Sequence, residues 1–245
     1  MTTLTPLTYL RHAGLGWTPR LLAREAVSRD PVVTMDELPL VVLGLPVVIR
    51  VTGGRAEPVV PVSSLAQTPL EPFDSAGSWQ FRIAPGALFD TPFRIMHSQA
   101  GGVVMVDNTA LQPEADAATP LFSKYGALDA KTEAETRRLD RWQFHLKAAQ
   151  TAAADLQAEG LLKRWRDVRA LFVVDRARLA TLPKDRAGAL HASGALFLAH
   201  LSIASQGAFD MARRPTPAVP RKRPVDETKA GAARGAFLDA FRAET

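Results

Sequence analysis

No cysteine occurs among the 245 residues, which excludes disulfides, thiolate metal sites and cysteine nucleophiles without choosing a compartment. Long hydrophobic runs are missing as well. The longest uncharged apolar stretch, residues 38–49, has 12 residues and contains Pro39 and Pro46. A membrane-spanning helix takes roughly 18 to 20, so no such segment is expected. The first ten residues carry no lysine or arginine, and the apolar segment 4–10 stops at Arg11 and His12. A Sec-type signal needs a basic start and a longer apolar stretch, so none is expected. That reading points to the cytoplasm, with non-classical export to the cell surface as the other route.

Signatures of catalysis and ligand binding are absent too. There is no HxH, HExxH, P-loop, GxGxxG or GxSxG. The histidines, His12, His97, His145, His191 and His200, include no i,i+4 pair that would place two ligands on one helix face. His191 and His200 fall on opposite sides of a straight helix. Asp175 reads as a helix N-cap, and Asp36 with Glu37 as charges compensating a helix dipole beside Pro39. His200 and Ser205 read as groups that satisfy each other or the backbone. Trp17, Trp79, Trp142 and Trp165 read as core anchors. No catalytic, cofactor-binding or metal-binding residue is assigned, and no cofactor is expected.

What the chain does have is apolar bulk and an uneven charge. Hydrophobic residues make up 47% and charged residues 22%, enough for a real core in one compact domain or two small ones. Of the 30 cations, eight lie in residues 213–245 beside four acidic residues, which leaves residues 1–212 at a net +1. The body is thus near neutral and the tail basic. The cation cluster sits in a proline-rich linker without interleaved aromatics, so nucleic-acid binding is disfavoured against a solvated tail.

Strand signals dominate the first half. Residues 46–51 (PVVIRV) predict a strand ending at a Gly53-Gly54 turn, and residues 58–62 a second. Residues 37–45 fit either a strand or a helix opened by Pro39. Residues 78–83 (SWQFRI) alternate as a half-buried strand would. Residues 85–93 could hold one helical turn, residues 103–106 a buried strand, and residues 113–119 a loop. The second half is helical. Thr132 and Glu135 have capping-box spacing, and Leu139, Trp142, Leu146, Ala149, Ala153 and Leu156 share one face of a long helix closed by Gly160. Residues 171–174 predict a strand, residues 175–182 a helical turn with Leu179 and Leu182 inward, and residues 183–191 and 195–211 two helices with Gly194 between them. The fold class is therefore α+β, with a strand-rich N-terminal half packed on a helical C-terminal half and a mobile basic tail.

Three divisions follow: an α+β body over residues 1–212, a Pro/Arg-rich linker over 213–229, and a short amphipathic helix over 230–245. The linker holds Arg221, Lys222 and Arg223, and should be extended and mobile. Beyond it, Phe237, Leu238 and Phe241 cluster on one side of a helix too short to be stable alone. These six residues are the candidate partner-binding site, the alternative being that the phenylalanines pack back onto the body.

In order along the chain, four blocks resemble the SapC family of bacterial proteins. The first joins Val32, Val33 and Glu37 to Pro46, Val47, Val48 and Ile49, with Leu38 and Leu45 where the family has aromatics. The second runs from Gly77, Ser78 and Trp79 to Pro92, Phe93 and Arg94; the third is the helix over residues 134–162, ending in Gly160, Leu161 and Leu162. The fourth, residues 172–206, carries Val174, Asp175, Leu179, Leu182, Pro183, Leu190, Ser193, Gly194, Ala195, Leu196, Ala199, His200, Leu201 and Ser205. The resemblance spans residues 5–212 and implies an association with bacterial surface layers. It also implies genes beside outer-membrane receptors and flavin-dependent halogenase-like enzymes. A label of transport permease, given to some members, fails because nothing here is long enough to cross a bilayer. The favoured reading is a non-catalytic accessory protein of envelope or nutrient-uptake machinery. Two others stand beside it: a cytoplasmic partner subunit of a modifying enzyme, such as a flavin-dependent halogenase-like protein, and an enzyme with dispersed active-site residues. The expected partner is another protein, reached through the C-terminal tail.

Overall fold

The computed structural model describes residues 4–212 except 67, 69, 99, 100, 166, 167 and 169. All of them belong to one compact unit, Met1–Arg213. The first half runs β1 (Leu4–Pro6), α1 (Tyr9–His12), β2 (Leu15–Trp17), β3 (Arg20–Leu21), α2 (Leu38–Val41), β4 (Val48–Thr52), β5 (Arg55–Val59) and α3 (Val62–Leu65), then β6 (Phe89–Asp90), β7 (Phe93–Ser98), β8 (Gly101–Asp107), β9 (Gln112–Pro113) and β10 (Thr119–Pro120). The second half runs α4 (Ala130–Ala158), β11 (Leu162–Arg164), β12 (Leu171–Val174), α5 (Arg176–Ala180), α6 (Lys184–Ala192) and α7 (Ala195–Ala212). Strands thus crowd the first half and helices the second, as an α+β chain requires.

The larger core is built on a four-stranded antiparallel sheet in the order β11-β12-β4-β5. Val48 and Ile49 are neighbours on β4, so their side chains point to opposite faces, and both are fully buried. The sheet is therefore covered on both sides there. Ala149, Ala152 and Ala153 give α4 a flat, buried face that lets the helix lie close to β5 and α7. Leu198 and Ala199 of α7 and Leu190 of α6 complete the packing.

A second, smaller core gathers Trp17, Phe93, Val106, Leu121 and Leu139 beneath the three-stranded sheets β1-β8-β7 and β10-β2-β9. Trp17 and Phe93 meet edge to face at 5.2 Å. The Trp17 indole N–H donates to Thr132 Oγ1 at 2.9 Å, and that hydroxyl donates to the Pro120 carbonyl. His12 is buried, with Nδ1 against the Thr8 backbone and Nε2 3.1 Å from Asn108 Oδ1. With 29 residues α4 is about 43 Å long, so its two halves serve different cores: Leu139 the smaller, Leu156 the larger.

Several local expectations need correcting. The N-cap of α4 is Asp129, whose carboxylate accepts from Lys131 N–H, while Thr132 lies inside the helix, buried and bonded to Trp17. Trp142 and Leu146 are only half-buried, because the helix turns that face between its two cores. Residues 78–83 form no ladder. Burial alternates through Trp79, Phe81 and Ile83, but the segment folds on itself, with the Trp79 indole N–H donating to the Ile83 carbonyl at 3.0 Å. Residues 37–45 resolve in favour of helix, with Pro39 in the first turn of α2. β5 begins at Arg55, and Pro61 opens the short helix α3 where the second strand was expected to end. Of residues 103–106 only Val106 is fully buried, since the outer face of β8 meets no other layer among the described residues. Gly160 and Gly194 have positive φ, +66° and +79°. At Gly194 this lets α6 stop and α7 restart with a sharp change of direction.

Two serines interrupt the apolar face of α7 for a backbone reason. Val47 is fully buried just ahead of β4, where no strand pairs with it. Its N–H donates to Ser205 Oγ at 2.9 Å and its carbonyl accepts from the Ser202 hydroxyl at 2.9 Å; the Ser205 hydroxyl in turn donates to the Ser202 carbonyl. The two side chains replace a missing ladder partner. His200 is exposed and bonds only within α7, to the Leu196 carbonyl, so His200 and Ser205 do not meet. Ser205→Ala should strand the Val47 N–H and cost about 1–3 kcal/mol. His200→Ala should move stability by less than about 0.5 kcal/mol. Urea unfolding of both variants checks the pair, and equal effects would contradict this assignment.

Candidate functional site

Arg221, Lys222, Arg223, Phe237, Leu238 and Phe241 lie outside the described residues, so their placement is not part of the geometry below. Within the body, groups able to do chemistry hold the fold. Asp175 Oδ1 caps α5 by accepting from Ala177 and Arg178 N–H. Ser202 and Ser205 serve Val47, and His12 holds the turn between β1 and β2. Among the described residues no three His, Asp or Glu side chains converge as a metal site would need. His97 Nε2 lies 3.4 Å from Asp140 Oδ1, and both side chains are more than half exposed.

One polar cluster joins the start of α2, the turn at Gly86–Leu88 and α4. Glu37 accepts from the Thr34 N–H and hydroxyl through Oε2, and from Gly86 N–H at 2.6 Å through Oε1. The Thr34-x-x-Glu37 spacing carries one limb of a capping box, since Glu37 reaches back to the Thr34 N–H. This is more than compensation of a helix dipole. The sequence signal was present, but Thr132 and Glu135 display the same spacing. Arg138 grips Glu135 with two hydrogen bonds of 2.8 Å and lies 5.4 Å from the centre of the Phe89 ring. The hydrogen bond to Glu135 holds the guanidinium pKa above its usual value against the opposing effect of burial, with the Glu135 and Glu37 charges adding to it. Trp142 Nε1 is buried beside this cluster with no hydrogen-bond partner among the described residues.

Packing around Gly86 leaves no room for a side chain. A Cβ there would sit 2.5 Å from Trp142 Nε1 and 2.6 Å from Glu37 Oε1. The cluster is a fastening of three segments, already filled by its own atoms. Apolar surface occurs elsewhere: Leu40 and Leu43 project from the end of α2 beside Phe81 and Ile83, around a groove of about 230 Å³. On the outer face of the small sheet, Met96 and Val103 pair across β7 and β8 and are both exposed.

No single helix among the described residues is long and apolar enough to cross a membrane; α6 and α7 qualify only together, and they bend by 90° at their junction. The α7 half of that pair is a core helix, with Leu198, Ala199, Ser202 and Ser205 buried. A family model described as SapC matches residues 7–211. No curated protein and no solved structure matches the chain. Gly86→Ala should displace Trp142 or Glu37 and destabilise the protein by about 1–3 kcal/mol. A chemical-denaturation midpoint checks this, and an unchanged midpoint would refute the packing argument.

Proposed function

We propose that this chain, which belongs to the SapC family, is a non-catalytic accessory protein that works by binding another protein of the bacterial envelope or nutrient-uptake machinery. One observation carries the reading. Buried His12, Ser202 and Ser205 and half-buried Glu37 are each engaged by neighbouring backbone and hold segments together. Rigid placement of this kind suits a body that presents surfaces. The tail supplies the recruiting element in this proposal: Arg221, Lys222 and Arg223 attract an acidic surface, while Phe237, Leu238 and Phe241 give an apolar anchor of the kind that dominates binding energy.

The partner's identity follows from affinity capture in the native cell, using the full chain and a Phe237→Ala/Phe241→Ala variant of it. The wild type should retain a defined envelope or uptake protein that the variant loses, while both melt at the same temperature. Equal retention by the two proteins would remove the tail from the mechanism. Retention of a modifying enzyme in place of an envelope component would overturn the envelope assignment.

A further inference from the structure

A further cavity opens beside β4. It is a cleft of about 660 Å³ formed by the loop before residue 31, the β4 strand and the start of α3. That volume is typical of small-molecule sites. Three arginines line it, Arg24, Arg29 and Arg50, and the one acidic residue in the lining is Asp30.

The arginines differ in what holds them. Arg50 is the fixed one, with 18% of its side chain exposed. It donates through Nε and Nη2 to Glu57 and through Nη1 to the Asp30 carbonyl. Glu57 does not line the cleft, and the five N–H bonds of a guanidinium exceed the three these contacts use, so Arg50 keeps donor capacity beyond its anchor. Arg24 is paired with Glu71, which is also outside the lining. Arg29 is exposed and forms no ion pair among the described residues. The Asp30 carboxylate is turned to Ser63, accepting from its N–H and hydroxyl at 3.3 Å, which offsets part of its charge. Ser28, Thr52 and Ser63 also line the cleft, together with Val27 and Val62.

A pre-positioned arginine, two further arginines and the hydroxyl-bearing residues Ser28 and Thr52 suit an oxyanion borne on a hydroxylated body. Arginine suits this because its planar donors match carboxylate and phosphate oxygens two at a time. We propose that the Arg24–Arg29–Arg50 cleft binds a small organic oxyanion, a carboxylate or phosphate carried on a hydroxyl-rich molecule such as a sugar acid or sugar phosphate.

Isothermal titration of the full chain with glucuronate, glucose 6-phosphate and uncharged glucose, at one ionic strength set with sodium chloride, tests the assignment. Saturable binding of glucuronate or glucose 6-phosphate, with glucose at least tenfold weaker, is expected, and the stronger of the two identifies the acid. Arg29→Glu should weaken that binding by tenfold or more without lowering the melting temperature, because Arg29 is exposed and unpaired. Arg24→Ala should weaken it to a smaller extent. Failure of both anions to saturate, glucose binding as well as they do, or undiminished binding in Arg29→Glu would each overturn the proposal.

Discussion

One helix belongs to two cores, and the body depends on that sharing. α4 presents Thr132, Thr136 and Leu139 to the smaller core and Ala149, Ala152, Ala153 and Leu156 to the larger. Neither sheet system could bury its inner face without it. The four-stranded sheet has α6 and α7 as additional cover, whereas the small sheets rest on the first turns of α4 and on one another. Trp142, between the two contact zones, and Arg138, at the end of the first, lie beside the fastening made by Glu37 and Gly86. The polar cluster thus flanks both cores, Arg138 beside Leu139 of the smaller and Glu37 beside Leu38 of the larger.

Buried polar groups in this protein do the work that regular pairing leaves undone. Val47 has no strand beside it and uses two serines; Trp17 has no backbone acceptor and uses Thr132; the turn after Pro85 passes its free N–H to Glu37. Each bond satisfies a group whose desolvation would otherwise cost about 1–3 kcal/mol. The bonds also choose among arrangements, because an apolar helix could slide along an apolar sheet where a serine bonded to one amide cannot.

Local signals in the sequence were readable where a single element determines them. α4, α7, the strand 171–174, the Asp175 cap and the break at Gly194 all follow from spacing within a few residues. Spacing failed where the answer depended on a distant neighbour. Thr132 and Thr34 each stand three residues before a glutamate. Thr132 is drawn to Trp17 and Pro120, and Thr34 alone takes its glutamate back to its own N–H. Alternation at residues 78–83 reported burial correctly, yet a ladder also needs a partner strand, which periodicity does not record. The arginine cleft was invisible for the same reason: Arg24 and Arg29 come from a loop, Arg50 from a strand far along the chain. The tail residues Arg221 to Phe241 stay a matter of composition, outside the described residues.

Because α4 is a rigid rod gripped at both ends, its length and its rotational phase are inherited together. Adding one residue between Leu139 and Ala149 would turn one grip by roughly 100° relative to the other, and only whole-turn changes would keep both faces aligned. Elsewhere in the body, surface loops can grow or shrink freely. Along this stretch, insertion and deletion are constrained as substitution is, so any variation in length there must come in near-whole turns.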